Sequence, residues 1–399
     1  MNSPETKPLV AVACGGTGGH LFPGMAVAEK ILEHDCAVML LISPKEVDQQ
    51  AVRAVSGMDV VTLPAVALAS GGYLGFLRGF WRSYLLAKKL FRARAPKAVL
   101  AMGGFTSAPP VFAAKHFHAA TFLHEANTIP GRANRLLAPW VDAAFVYFPE
   151  TALRLRNSQV TIAGMPVRPQ FHSMDAAACR MALGLSAEKP TLLVMGGSQG
   201  ARGINDLVID TLPLLAVRFP DAQFLHLTGP SDAEKVRRAY AAQKLKASVH
   251  PFLTEMELAL GAATAVVSRA GASSLAEFAA MALPAILIPY PAAADNHQFH
   301  NARTFVETGA ARMLWQRTAT PELLAKLIAQ LLGDEREREH LRAALTQRHV
   351  PDAAGKIAGR ILQAIGLQPL VRANEAAANE EPLPNFSIRG MKREILSAP

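Results

Sequence analysis

KPLVAVACGGTGGH (Lys7–His20) and KPTLLVMGGSQGA (Lys189–Ala201) follow one pattern. Each opens on Lys-Pro, runs through five or six residues of buried-strand character, and breaks into a glycine-rich turn where a helix can begin. A turn without side chains lets backbone N–H groups approach phosphate oxygens, and the positive N-terminal end of the next helix adds to that attraction. The same device therefore occurs twice, at equivalent places in two halves of the chain.

Working outward, apolar runs recur at Leu9–Cys14, Ala37–Ile42, Ala98–Met102, Thr121–His124 and Ala143–Phe148, separated by helical stretches. The second half repeats the plan with Thr191–Met195, Gln223–Thr228, Ser248–Phe252, Ala265–Ser268 and Ala285–Pro289. Alternation of this kind predicts strand and helix units around a mostly parallel sheet, once in each half. A hinge is expected at AGMPVRPQF (Ala163–Phe171), where Gly164, Pro166 and Pro169 interrupt the periodicity. A helical AAGKIAGRILQAIG (Ala353–Gly366) closes the patterned chain, and the Ala-, Asn-, Glu- and Pro-rich stretch after it reads as a flexible extension.

At 399 residues the chain is long for one core, and half of its residues are hydrophobic. The 41 Lys and Arg against 32 Asp and Glu, a formal charge of +9, call for an anionic partner without choosing among nucleic acid, membrane and phosphorylated substrate. Three cysteines, Cys14, Cys36 and Cys179, are widely spaced and fit neither zinc nor a disulfide framework, which suits a reducing compartment. The polar MNSPETKP precedes an apolar run far short of a signal-peptide core or of the roughly 18 residues of a spanning helix. The expectation is a cytosolic protein that touches a membrane only from its surface.

Neither glycine turn matches a dinucleotide fingerprint: Gly16-Thr17-Gly18 would need glycine where Leu21 stands, and the second turn spaces its glycines at 197, 200 and 203. No Walker lysine follows, and no Asp-x-Asp pair for a metal–diphosphate clamp occurs in the chain, so no cofactor or metal is expected. The alternative for either turn is a tight strand-to-helix connection without a ligand. His20 falls on the first helical turn, where the positive helix end lowers the affinity of imidazole for a proton and leaves a proton acceptor. Otherwise it is a capping or core histidine. LHEANTIPGRAN (Leu123–Asn134) gathers His124, Glu125, Asn127 and Asn134 beyond another strand, as a site or a capped turn. MGGFTSAP (Met102–Pro109) adds a third flexible loop.

In the second half, SRAGASSLAEF follows a strand with small residues that allow a phosphate close to Ala272, Ser273 and Ser274, while Glu277 can accept hydrogen bonds from a ribose diol or stand as a solvated helix carboxylate. ADNHQFHN (Ala294–Asn301) offers amides and imidazoles to sugar hydroxyls. YLGFLRGFWRSYLLAKKLFRAR (Tyr73–Arg94) places Tyr73, Phe76, Leu77, Phe80, Trp81, Tyr84 and Leu85 at helical spacing amid Arg78, Arg82, Lys88, Lys89, Arg92 and Arg94. Core packing explains part of the stripe; its basic residues suit anionic head groups.

GGTGGH, HEAN, GMPVR, GGSQGA, SRAGASSLAE and HQFHN, in this order across Leu9–Gly366, resemble the MurG family of peptidoglycan N-acetylglucosaminyltransferases. The resemblance implies a GT-B fold, two Rossmann-like doubly wound parallel-sheet domains facing across a cleft. An acceptor- and membrane-facing domain would span 1–167, a UDP-GlcNAc-binding domain 168–349, a helix returning to the first domain 350–366, and a tail 367–399. It implies inverting transfer of GlcNAc from UDP-GlcNAc to the 4-hydroxyl of MurNAc in undecaprenyl-diphosphoryl-MurNAc-pentapeptide, at the cytoplasmic face of the membrane, with an anionic membrane surface and no nucleic acid as further partner. By matching motif, Thr17, Gly18, Gly19 and Asn127, with Asn134 nearby, would contact acceptor or donor sugar. Arg168 and Ser198, with Gln199 and Gly200 of the same turn, would meet the donor diphosphate; Leu253 would present backbone to uracil; Ala272, Ser273, Ser274 and Glu277 would hold phosphate and ribose, and Gln298 the sugar hydroxyls. Ala126, Met165 and Phe105 depart from the family pattern, and Phe105, lacking a phenol, cannot carry a proton.

Inverting transfer needs a base at the attacking hydroxyl and charge stabilisation at the leaving UDP. His20 is the first candidate base, with Glu125 orienting it, binding acceptor or replacing it. A UDP-GlcNAc 2-epimerase and a catalytically silent membrane-binding protein of the same fold are the competing readings.

Overall fold

In the computed structural model the described residues are 7–368 apart from 158, 198 and 199, with backbone alone at 54 and 68–71. The extension expected at 367–399 lies, from residue 369 onward, outside them. The chain divides into two units, residues 1–126, 130–164 and 353–399 in one, and 127–129 and 165–352 in the other.

The first unit is built on seven strands: β1 Leu9–Ala13, β2 Ala37–Ile42, β3 Met58–Thr62, β4 Ala98–Ala101, β5 Ala120–Glu125, β6 Ala143–Val146 and β7 Val160–Ile162. Their order across the sheet is β3-β2-β1-β4-β5-β6-β7, with every pairing parallel. β1 is central and fully buried, which is why it reads as an unbroken apolar run. Its side chains divide between two cores by strand alternation. Val10 and Val12 face Leu21, Val27 and Ile31 of the helix Gly18–Leu32. Leu9, Ala11 and Ala13 face Ala87 and Phe91 of the helix Leu68–Ala93 and Val111 of the helix Ala108–His116.

The second unit repeats the scheme with six strands: β8 Thr191–Met195, β9 Gln223–Leu227, β10 Lys246–His250, β11 Ala265–Ser268, β12 Ala285–Leu287 and β13 Arg312–Met313. Their order is β10-β9-β8-β11-β12-β13, again parallel throughout. Leu192 and Val194 of β8 pack on Ile204, Val208 and Leu212 of the helix Arg202–Arg218.

In both sheets the order reverses beside the first strand, between β1 and β4 and between β8 and β11. Ligands of open α/β sheets gather at such a reversal, beyond the carboxyl ends of the strands. Both glycine turns leave their strands there. Three strands, β3, β7 and β13, were not expected from the sequence; they are short edge or near-edge elements, and β3 exposes most of its side chains. The strand expected at Ser248–Phe252 starts two residues earlier, at Lys246, because edge position lets Lys246 and Ala247 pair without an apolar face.

The last helix among the described residues, Ala353–Ala364, buries Ile357, Ala358, Ile361 and Leu362 in the same cluster as Val10, Val12 and Ile31, so a late segment of the chain completes the core of an early one. Ile361→Ala should lower stability by about 2–5 kcal/mol. Denaturant unfolding of the full chain measures this, and an unchanged midpoint would mean that the helix contributes nothing to that core.

Candidate active site

In the first unit, β1 delivers the chain into a turn with room for backbone only. A Cβ on Gly15 would overlap the amide nitrogen of Ser43, and Gly16 holds φ +120°, a conformation that L side chains rarely adopt. The Gly16 N–H donates to Asp48 Oδ2 at 2.7 Å, and its carbonyl accepts from Lys45 Nζ at 2.8 Å. Asp48 Oδ2 also accepts from the Ser43 backbone N–H (3.2 Å) and hydroxyl (2.5 Å). Thr106 Oγ1 donates to the Gly15 carbonyl at 2.6 Å. Thr17 then precedes the helix Gly18–Leu32, its carbonyl accepting from His20 N (3.0 Å) and Leu21 N (3.1 Å). No acidic residue occupies the first turn of this helix, whose positive end is thereby left uncompensated by its own sequence.

His20 lies against the backbone of the loop after β4. A Cβ on Gly103 would sit 3.0 Å from His20 Nε2 and 3.3 Å from Asn134 Nδ2, and one on Gly104 would sit 3.2 Å from Nδ1. Thr17 Oγ1 is 3.2 Å from His20 Nδ1. When Nδ1 carries the proton and donates to that hydroxyl, Nε2 is the nitrogen with a lone pair. Thr17 and Gly19 are exposed and Gly18 half-buried, so this corner is open to solvent.

Glu125 ends β5 almost fully buried, and its Oε2 accepts from Gly131 N (2.8 Å) and Asn134 Nδ2 (2.9 Å). Asn134 donates also to the His124 carbonyl at 2.9 Å. Two of the polar residues in this stretch thus anchor a loop to a strand end. His124 is a core histidine: buried, paired through Nε2 with the Gly164 carbonyl at 3.0 Å, and pushed by burial down to about 4, it is neutral at physiological pH.

In the second unit, Gly200 N donates to the Gly197 carbonyl at 2.9 Å, with positive φ at both glycines. Ser198 and Gln199 lie outside the described residues. A Cβ on Gly200 would overlap the Thr228 carbonyl oxygen, the same close approach to the neighbouring strand end that Gly15 makes. Asn205, in the helix Arg202–Arg218, holds this junction by donating to the Thr228 carbonyl (2.9 Å) and Asp232 (2.8 Å) while its Oδ1 faces His226 Nε2 at 3.1 Å. Burial pushes His226 down to about 3, so it is a neutral donor.

Beyond β11 the helix Ala272–Ala280 starts at Gly271, again with no acidic residue in its first turn. Arg269 lies buried just ahead of it, donating to the carbonyls of Ile288 (2.9 Å) and Pro289 (3.3 Å) with Tyr290 against its guanidinium. Burial pushes it down to about 10, which leaves it charged at neutral pH. Glu277 sits on the same helix, half-buried. Burial raises its carboxyl to about 7, with the Arg168 charge pulling the other way. Arg168 stacks on Phe171. Gln298 Oε1 accepts from Tyr290 N (2.9 Å) and Ala270 N (3.3 Å), tying down the loops beyond β11 and β12. Leu253 is half-buried in the loop after β10. Asn127 accepts from Asn301 Nδ2 at 3.0 Å, and Thr128 N donates to Asn301 Oδ1 at 2.9 Å, both within this unit.

Sequence reading passed over Asp48, Asn205, Arg269 and Asn301. Asp48 lacks any local signal, being a polar residue in an ordinary short helix. Arg269 and Asn301 stood inside stretches singled out for their neighbours. Among the described residues no group of three or more His, Cys, Asp and Glu is arranged to hold a metal ion.

Two parallel sheets of this order, each with a glycine turn at its reversal, define a GT-B glycosyltransferase of family 28: residues 10–146 match the N-terminal domain of glycosyltransferase family 28, and residues 191–357 its C-terminal domain. The UDP-N-acetylglucosamine--N-acetylmuramyl-(pentapeptide) pyrophosphoryl-undecaprenol N-acetylglucosamine transferase of Anaeromyxobacter dehalogenans is 36% identical over 351 residues, covering 87% of this chain and 90% of the relative. MurG of Acinetobacter baumannii superposes with a TM-score of 0.71 at 23% identity, over 90% of this chain and 99% of that one. A UDP-N-acetylglucosamine 2-epimerase shares the fold with a TM-score of 0.65 at 14% identity, over 90% of this chain and 97% of that one. The chain belongs to the MurG family.

The raised Glu277 has a stability consequence with a definite sign. The fold favours its protonated form, so its contribution is full below the ordinary value of 4.5 and is lost as pH rises through about 7. Glu277→Gln should flatten the fall in denaturant stability over that window. Equal slopes in the two proteins would put the carboxyl in a water-like environment.

Proposed function

We propose that this chain transfers N-acetylglucosamine from UDP-GlcNAc to the 4-hydroxyl of the MurNAc residue in undecaprenyl-diphosphoryl-MurNAc-pentapeptide, with inversion. The observation that carries the chemistry is His20: an imidazole on an uncompensated helix N-terminus, laid on Gly103 and Gly104 and bonded at one nitrogen to Thr17. In this reading Nε2 takes the proton of the attacking hydroxyl, the new C–O bond forms at the anomeric carbon, and UDP leaves with the electrons of the broken bond. Glu125 Oε2 accepts from Gly131 N and Asn134 Nδ2, groups of the segment that follows its own strand, which suits a positioning residue better than a base.

The second unit supplies the donor contacts. The helix at Ala272, with Ser273, Ser274 and the charges of Arg269 and Arg168 nearby, suits the diphosphate and stabilises the negative charge that grows on it. Glu277 accepts from the ribose hydroxyls, Leu253 faces uracil with its backbone, and Gln298 and Asn127 address the sugar.

The lipid acceptor requires a membrane surface, and the first unit has a face for one. Tyr73 (70%), Leu74 (83%), Trp81 (58%) and Leu136 (74%) are exposed apolar side chains. Ring contacts from Phe76 through Phe80 and Phe112 to Trp140 join the helix Leu68–Ala93 to the 3-10 turn Ala138–Trp140. Arg78, Arg82 and Lys89 of the helix Leu68–Ala93, Lys115, and Arg135, next in the chain to Leu136, are also exposed. No helix among the described residues is long and apolar enough to cross a membrane. A peripheral protein on the cytoplasmic face fits these features, and the alternation of aromatic and basic groups suits anionic lipid rather than nucleic acid.

Purified protein given UDP-GlcNAc and a short-chain lipid acceptor should release UDP and form the disaccharide product; conversion of UDP-GlcNAc to UDP-ManNAc without acceptor would make the chain an epimerase. His20→Ala should cut turnover roughly a hundred- to ten-thousandfold, leave the donor constant near normal, and abolish the fall in rate at acid pH. A normal turnover in this variant, with loss in Glu125→Gln, would transfer the role to Glu125. Trp81→Ala should weaken flotation with anionic vesicles and raise the KM for a long-chain acceptor without changing that for a short-chain one; unaltered flotation would remove this face from the membrane.

A further inference from the structure

Lys45 stands three residues beyond β2, at the carboxyl edge of the first sheet, and its side chain is exposed but not loose. Nζ donates to the Gly16 carbonyl at 2.8 Å and lies 5.4 Å from the centre of the Phe105 ring. Among the described residues no carboxylate lies within ion-pair distance of it. Asp48, the acid on the other side of the same peptide, is fully buried and already accepts from Gly16 N, Ser43 N and Ser43 Oγ. The Gly16 peptide is thus gripped at its N–H by a buried anion and at its carbonyl by an exposed cation.

This arrangement has a consequence for anion binding. With its N–H directed at Asp48, Gly16 cannot offer that amide to a phosphate, although a glycine turn ordinarily would. The positive group presented at the turn is instead an ammonium with three donors, one of them directed at Gly16. Phe105 carries no hydroxyl to compete for the rest, and a cation over a ring face is fixed without being neutralised.

We propose that Lys45 is an acceptor-binding residue, its ammonium holding the diphosphate of the acceptor at the first glycine turn. The proposal rests on the assignment of a diphosphate-linked acceptor to the first unit. The alternative source of the same chemistry is the phosphate of a membrane lipid head group, and the test separates the two.

The full chain, Lys45→Ala and Lys45→Arg are compared in three measurements. With a soluble short-chain acceptor, Lys45→Ala should raise the acceptor KM roughly ten- to a hundredfold, the range of a lost hydrogen bond to a charged group, while the donor KM stays within about twofold and Lys45→Arg recovers most of the loss. Farnesyl diphosphate titrated by calorimetry into protein saturated with UDP should bind the wild type and lose affinity in Lys45→Ala by a similar factor; this needs no turnover, so it decides the role of Lys45 even if the transfer reaction itself is not found. Flotation with phosphatidylglycerol vesicles should be the same for all three proteins. Unchanged acceptor KM and unchanged farnesyl diphosphate affinity in Lys45→Ala overturn the proposal. So does weaker vesicle binding with unchanged diphosphate affinity, which would place Lys45 among the head-group contacts.

Discussion

Where β1 and β2 end side by side, the chain leaving β1 has space for backbone and nothing more. A single Cβ at Gly15 would occupy the place of the Ser43 amide, and one at Gly200 would occupy that of the Thr228 carbonyl. This crowding puts a glycine turn at each reversal of strand order and starts a helix within a few residues of each strand. It also sets His20 on the first turn of its helix. Had either strand been followed by an ordinary loop, the polar ends of the helices would point elsewhere and the two units would be plain sheets.

The charges nearest these turns are held in an uncommon way. Among the described residues Asp48 is buried without an ion-pair cation and Arg269 without a carboxylate; Asp48 accepts from N–H and O–H donors through Oδ2 alone, and Arg269 donates to backbone carbonyls through Nη1. A buried charge satisfied by neutral dipoles keeps its field, whereas a buried ion pair cancels its own. The first unit therefore keeps a negative charge under its turn and a positive one above it, and the second keeps a positive charge beside the helix at Ala272. Histidines behave oppositely in the same regions: His124 and His226 are neutralised by burial and serve as hydrogen-bonding pieces of the scaffold.

How much of this was readable from the sequence follows from where the constraint acts. Central strands such as β1 and β8 must be apolar along their whole length, so they announce themselves, and the glycines beside them are required by sterics. β3, with exposed Asp59 and Val60, and the two-residue β13 carry no such demand and read as connections. Residues that would act through repeated motifs, His20, Glu125 and Glu277, were legible because a turn or helix end gave them a place. Asp48, Asn205 and Asn301 were not, since each reaches across 23 to 173 positions to a backbone group at a turn or strand end, and that distant partner leaves no mark in the sequence around them. The apolar face was half legible: the stripe from Tyr73 shows helical spacing, but Trp140 meets it through Phe112, a contact that no sequence spacing records.

The return of Ala353–Ala364 to the first core makes the order of synthesis differ from the order of completion. As the chain emerges from the ribosome, residues 7–164 are made first, yet the apolar faces of β1 and of the helix Gly18–Leu32 wait for Ile357, Ile361 and Leu362, about two hundred positions later. The second unit is nearly continuous in the chain and has its whole sheet and main core before those residues exist. Domains fold largely as units during translation. The unit that begins the polypeptide is then the unit that finishes last, and for most of elongation it presents a greasy flank that the helix Ala353–Ala364 has yet to cover.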